Sequence, residues 1–249
     1  MPSFCLHPSC GKTGKTHRRR DRMNTKPDTS ERNEKLPLLL FDLDGTLIDS
    51  QAMVFETFRQ VFAHELPDYA LSDEELYSFF GPTLEKTFLR YFEPDRIEEV
   101  IDLYQKINLD LHYTLLKEMP HALEVIQQLK DEGYTMAIVS NKRRHPVLLG
   151  MEICHLDPYF DAVFAREDQP ACKPDPAGLL FAAKELGYEG KKVVYAGDNA
   201  ADVQAAKAAR FIPIGYTLDS TQKKALLAEG TRYLIEDLRD LPGLLREIE

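Results

Sequence analysis

The sequence predicts an α/β protein: a mostly parallel sheet covered by helices on both faces, with an all-helical unit inserted after the first strand. Three observations predict it. Short apolar runs alternate with segments of helical character, one long stretch shows helical spacing alone, and acidic or small polar residues recur where the apolar runs end. Strand–helix alternation of this kind builds crossover connections, and crossovers make parallel sheets.

The first run, Leu38-Leu39-Leu40-Phe41-Asp42-Leu43, ends in acid and is followed by Asp44 and Gly45. A strand buried on both faces reads as a continuous apolar run, and its carboxyl end is where polar groups emerge. Residues 50–117 show no such run. There Ala52, Phe55, Phe58, Val61 and Phe62 fall at helical spacing, as do Ile97, Val100, Ile101, Tyr104 and Ile107. These aromatics are expected to form a core rather than stack on a ligand.

Strand runs resume at Tyr134–Val139, Phe160–Ala165, Lys192–Ala196 and Phe211–Ile214, with a weaker one at Arg232–Ile235. Between them, Pro120–Glu132 is closed by Gly133, and Pro176–Leu186 opens on Pro and closes on Gly187, as helix ends require. Ala200–Ala209 is Ala-rich and follows a Gly-Asp-Asn turn. The expected organisation is therefore an N-terminal extension over 1–37, a core formed by 38–49 and 118–249, and a helical unit over 50–117.

Composition sets outer bounds. The chain has 249 residues, 43% of them hydrophobic and 29% charged, which supports a buried core and excludes a fibrous or wholly disordered chain. No apolar run approaches the length of a membrane span. The net charge of -10 argues against a nucleic-acid surface spread over the protein. Residues 1–37 nevertheless hold nine Lys/Arg against four Asp/Glu, so the extension is basic and expected to be flexible. Its Gly14-Lys15-Thr16 suggests a phosphate loop, but Ser9 stands where the first Gly is needed and no strand precedes it. Met23 offers an alternative start. Four scattered cysteines do not make a disulfide framework, and a cytoplasmic setting is expected.

Four constellations lie where strands should end. Asp42 and Asp44 are two apart, and Gly45 lets the chain turn away without a Cβ. Ser140-Asn141 follows the second run, Lys173 precedes Pro174-Asp175-Pro176, and Asp198 and Asp202 flank the start of the Ala-rich helix. Each has an ordinary reading by itself: a helix cap, a surface lysine, an acidic turn. In an open parallel sheet, however, the carboxyl ends of the strands share one crevice. Four acids, a hydroxyl and a lysine gathered there suit a divalent cation and a phosphoryl group, and hard oxygen ligands favour magnesium.

The ordered motifs Asp-x-Asp-Gly-Thr, Ser-Asn, Lys-Pro and Gly-Asp-x-x-x-Asp resemble those of the haloacid dehalogenase-like hydrolases. The nearest likeness is to phosphoglycolate phosphatase-like and pyrophosphatase-like members with a helical cap. Leu47-Ile48-Asp49-Ser50, Phe80-Gly81-Pro82 and Lys173-Pro174-Asp175-Pro176 reinforce it, over residues 36–237. The resemblance implies a Rossmann-like core and a magnesium-dependent phosphatase. Asp42 is then the nucleophile, and Asp44 the acid and base, with a proton affinity raised by the crowded acids. Ser140 and the Asn141 backbone hold phosphate oxygens, and Lys173 offsets charge. Asp42, the Asp44 carbonyl, Asp198 and Asp202 serve the metal. Asn199 and Arg166 depart from the common pattern. Thr83, Lys86, Arg90 and Lys117 are candidates to meet a substrate anion.

The expected partner is a small phosphorylated metabolite, 2-phosphoglycolate first and inorganic pyrophosphate next, with no membrane or specific nucleic acid, in a monomer or homodimer. A β-phosphoglucomutase-like reaction and a non-catalytic phosphate-binding module are the remaining alternatives.

Overall fold

The computed structural model describes residues 36–80 and 82–248; the expected basic extension lies outside the described residues except for Leu36 and Pro37. Six strands form one parallel sheet: β1 (Leu38–Phe41), β4 (Met136–Val139), β5 (Ala162–Phe164), β6 (Val193–Gly197), β7 (Ile212–Tyr216) and β8 (Tyr233–Ile235). Their spatial order is β5-β4-β1-β6-β7-β8. The chain builds outward from β1 in both directions, so β1 lies between β4 and β6. That reversal of order opens the crevice at the carboxyl ends.

Alternation along each strand divides the interior into two layers. Leu39 and Phe41, Met136 and Ile138, and Val194 and Ala196 face one side. There they meet Val125 and Leu129 of α5 (Ala122–Glu132), Val147 and Met151 of α6 (Arg144–Ile153), and Leu245 of α10 (Leu241–Ile248). Leu38 and Leu40, Ala137 and Val139, and Val193 and Tyr195 face the other. This second layer is closed by α7 (Ala177–Glu185) and the Ala-rich α8 (Ala200–Ala208), whose Ala205 and Ala206 let it lie close to the sheet. One further helix, α9 (Ser220–Ala228), follows β7.

Two strands of two residues each complete the set. β2 (Ile48–Asp49) pairs antiparallel with β3 (Lys117–Glu118), Ile48 opposite Glu118 and Asp49 opposite Lys117. Sequence reading did not find them, because two residues carry no periodicity. Between them run α1 (Gln51–Glu65), α2 (Asp73–Ser78), α3 (Leu84–Phe88) and α4 (Ile97–Leu115).

These helices hold a third apolar cluster that includes Phe55, Phe58, Phe62, Phe79, Phe88, Val100 and Tyr104. Phe58 sits at its centre, 4.5 Å from the Phe79 ring, 4.9 Å from Tyr104 and 5.6 Å from Phe88. A buried polar clasp ties α1 to α4: Asn108 donates to the Thr57 hydroxyl at 3.1 Å, and Thr57 donates to the Met53 carbonyl at 2.7 Å.

Phe58→Ala removes the ring around which this cluster packs. It is expected to lower the unfolding free energy by about 3–5 kcal/mol in urea denaturation. A loss below about 1 kcal/mol would contradict the packing described.

Candidate active site

β1, β4 and β6 end side by side, and each delivers a polar group into the same space. Asp42 follows β1 and is pinned by its amide, which donates to the Ala196 carbonyl at 2.8 Å. The chain then folds over itself: the amides of Leu47 and Ile48 donate to the Leu43 carbonyl, and Gly45 donates to Ile48 at 2.8 Å. Gly45 adopts φ 80° and lies against the Asp198 carboxylate, where any Cβ would collide. Gly197 gives Asp202 the same clearance. The glycines therefore serve the close approach of acids as well as the turn.

Lys173 holds the cluster together. Its buried ammonium donates to Asp42 Oδ1 at 2.8 Å, Asp202 Oδ1 at 2.7 Å and the Tyr195 hydroxyl at 2.7 Å, which uses all three of its protons. Its backbone is clamped by the Asn141 side chain, which accepts from the Lys173 amide at 2.9 Å and donates to its carbonyl at 3.0 Å. The Lys173–Pro174 peptide bond is cis. Asn141 thus bridges the end of β4 to the lysine loop.

Tyr195 was missed by sequence reading, since an aromatic within an apolar strand reads as core. Its hydroxyl lies 3.1 Å from both the Val139 carbonyl and Asp202 Oδ1.

Asn199, whose role the sequence left open, is the N-cap of α8. Its Oδ1 accepts from the Ala201 amide at 2.9 Å and the Asp202 amide at 3.3 Å, and Asp202 Oδ2 accepts from the Asn199 amide at 3.1 Å, a reciprocal capping box. Both oxygens of Asp202 are therefore engaged by the protein. Asp198 Oδ2 accepts from Gln222 of α9 at 3.1 Å, a partner with no local sequence signal.

Asp42, Asp198 and Asp202 each offer an oxygen within 4.8 Å of the others, and all three are buried. One buried ammonium faces three buried carboxylates, so the cluster carries surplus negative charge. Burial raises the Asp42 carboxyl to about 7 against the opposing pull of Lys173. Burial and the neighbouring acids push Asp198 well above the usual range. Burial works against the Lys173 charge, but Asp202 and Asp42 outweigh it and raise its proton affinity. The all-oxygen donor set and the surplus charge fit a hard divalent cation.

Asp44 differs from expectation. Burial raises its proton affinity, but the Lys142 ammonium, 2.9 Å from Oδ1, together with the Ser50 hydroxyl and the His112 ring outweighs that and holds the carboxyl below its ordinary value. The elevated affinity falls on Asp42 and Asp198 instead. Lys142 was overlooked because it stands within the basic run Lys142-Arg143-Arg144, which reads as a solvated loop. Ser140 is buried at the end of β4, and its hydroxyl accepts from the Lys142 amide at 3.2 Å.

Two side-chain hydrogen-bond contacts among the described residues join the helical unit to this region. Arg166 forms a two-pronged ion pair with Glu85 of α3 at 3.0 and 3.1 Å, and Arg143 donates to Gln105 of α4 at 3.2 Å. Arg166 is thus an inter-unit tether.

None of the four proposed anion contacts bonds to the strand-tip carboxylates. Thr83 caps α3, Lys86 is exposed, Arg90 donates to Ser78 and lies over the Phe79 and Tyr91 rings, and Lys117 belongs to β3. Cys154 is buried and Cys172 half-buried, and both are free thiols. No helix among the described residues is long and apolar enough to cross a membrane.

A parallel sheet of this order with acids at its central tips suits hydrolytic chemistry on a charged group, and comparison with known proteins gives the class. The family model for haloacid dehalogenase-like hydrolases matches residues 39–214, and the chain belongs to that family. It is 31% identical to the pyrophosphatase PpaX of Listeria monocytogenes over 215 residues, covering 86% of this chain and 99% of the relative. A solved protein of Bacteroides fragilis, designated a haloacid dehalogenase-like hydrolase, is 29% identical with a TM-score of 0.75, covering 83% of this chain and all of the other. A predicted phosphoglycolate phosphatase from Haemophilus somnus, 19% identical, shares the fold at a TM-score of 0.75 over 84% of this chain and 97% of its own.

The raised proton affinities would make cation binding here pH-dependent, because protons must leave Asp42 and Asp198 before a cation could take their place. Below about pH 7, protons compete with the cation at Asp42; above it, they do not. In calorimetric titration, Mg2+ affinity is expected to rise from pH 5.5 to 8, with proton release at the lower pH. An affinity that is flat across this range would contradict the assignment.

Proposed function

We propose that this phosphatase uses Mg2+ to hydrolyse a small phosphorylated metabolite, 2-phosphoglycolate, through a phosphoryl group carried on Asp42. The observation that carries the reading is the juxtaposition of Asp42 with Lys173 and the Asp198–Asp202 pair at adjoining strand tips. Asp42 attacks phosphorus through a carboxylate oxygen, the bond to the leaving oxygen breaks, and Asp44, in the small protonated fraction that its lowered affinity leaves, hands that oxygen its proton. Asp44, now a carboxylate paired with Lys142, then takes a proton from the water that hydrolyses the acyl-phosphate.

Ser140 and the backbone at Asn141 hold phosphoryl oxygens, and Lys173 offsets the charge that gathers on Asp42 and the transferring group. Asp42, Asp198 and the Asp44 carbonyl would hold Mg2+, which supplies neutralisation of the phosphoryl oxygens, while Asp202 orients that shell. The helices of residues 50–117 act as a cap that closes over the crevice and excludes water, with the paired β2 and β3 as its joint. The enzyme works in the cytoplasm, as a monomer or homodimer.

Pyrophosphate is the second reading, favoured by the likeness to the Listeria pyrophosphatase over nearly that protein's whole length. Phosphate release with 2-phosphoglycolate, pyrophosphate, sugar phosphates and nucleotides, with and without Mg2+, decides between them by relative kcat/KM. No turnover of any of these would leave only a binding role. Asp42→Asn is expected to cut turnover at least about a thousandfold while keeping the melting temperature near that of the parent. Full activity in that variant would exclude Asp42 as the nucleophile.

A further inference from the structure

We propose that Lys142 is the specificity-determining residue of the site: it receives a negative charge on the leaving group and so selects substrates whose leaving group is itself an oxyanion. The inference rests on the phosphatase reading above and narrows its substrate class.

The two lysines near the strand tips are placed differently. The Lys173 side chain is 3% exposed and spends its three protons on Asp42, Asp202 and Tyr195. The Lys142 side chain is 19% exposed, and among the described residues its ammonium bonds Asp44 alone. Two of its three donors remain for a ligand. Lys173 balances charge that is permanently present, whereas Lys142 has capacity to spare.

Its position is set by Asp44. If Asp44 hands a proton to the leaving oxygen, that oxygen lies within hydrogen-bond reach of the Asp44 carboxyl. The Lys142 ammonium is 2.9 Å from that carboxyl and so stands beside the leaving atom. Lys142 is also two residues beyond Ser140, whose hydroxyl accepts its amide, so the phosphoryl cradle and the ammonium are fixed to one turn.

The groups near Asp44 besides Lys142 include the buried His112 imidazole, whose proton affinity burial and Lys142 lower. The Ser50 hydroxyl lies near Asp44, buried and without a hydrogen bond of ordinary geometry. Tyr104 of the helical unit is buried within electrostatic reach of the same carboxylate. Neighbouring cations are committed elsewhere: Arg143 to Gln105, Arg144 to Asp168 and Arg166 to Glu85.

The chemistry that matches is a second anionic group close to the bridging oxygen. In 2-phosphoglycolate a carboxylate is attached through one methylene; in pyrophosphate the second phosphoryl group is attached directly. A neutral alcohol of the same length offers the ammonium only an uncharged acceptor. One charge-assisted hydrogen bond corresponds to a preference of about 10–100-fold.

The test compares 2-phosphoglycolate with 2-hydroxyethyl phosphate, which has the same chain length but no carboxylate, in the full-length protein with Mg2+. The parent is expected to favour 2-phosphoglycolate, and K142M to reduce the ratio of the two kcat/KM values by about 10–100-fold. K142R is expected to restore most of the ratio, and pyrophosphate to follow 2-phosphoglycolate. An unchanged ratio in K142M, with both substrates losing equally, would overturn the proposal and leave Lys142 as an orienting partner of Asp44 while the phosphatase reading stands. A parent protein that releases phosphate from none of the three would overturn both.

Discussion

The buried ammonium of Lys173 is the interaction on which the site depends. Three carboxylates cannot be buried close together without a counter-charge, and Lys173 is the cation that the fold places among them. Its contacts also join separate parts of the chain. Asp42 comes from the end of β1, Tyr195 from β6, Asp202 from the first turn of α8, and Asn141, which grips the lysine backbone, from the end of β4. Loss of the lysine charge would strand its partners in a medium that solvates them poorly, so geometry and electrostatics fail together. The surplus negative charge that remains would attract a divalent cation to the crevice.

The topology makes this arrangement affordable. Because the chain winds outward from β1 on both sides, residues 42, 140 and 198 emerge next to one another although they are far apart in sequence. The two apolar layers hold the strands rigidly, and Gly45 and Gly197 remove the side chains that would keep the acids apart. The helical unit has its own aromatic core and meets the crevice through the Arg166–Glu85 and Arg143–Gln105 contacts. Such exposed or half-exposed polar contacts are weak individually.

Much of this was legible in the chain. Six apolar runs gave six strands, because the central ones are buried on both faces and even the half-buried edge strands keep a hydrophobic trace. Asp42, Ser140, Lys173, Asp198 and Asp202 stood out because polar residues that end such runs have few other places to go. What escaped notice escaped for physical reasons. β2 and β3 are too short to carry a pattern. Tyr195 alternates with apolar neighbours, and only its hydroxyl reveals a second role. Lys142 is hidden in a basic run whose members turn in different directions, toward Asp44, Gln105 and Asp168. Gln222 meets Asp198 from the helix that follows the neighbouring strand β7, a contact that only the assembled sheet creates. The proton affinity assigned to Asp44 was misplaced for the same reason: crowding by acids was visible in the sequence, but the cation that outweighs it was not.

The central claim is that strand tips distant in sequence form one cation site beside a nucleophilic carboxylate. A crystal grown with Mn2+ and measured for anomalous scattering tests it directly. The account predicts one strong peak within bonding distance of carboxylate oxygens of both Asp42 and Asp198, with Lys173 still bound to Asp42 and Asp202. A peak at some other acidic cluster, with none between Asp42 and Asp198, would contradict it.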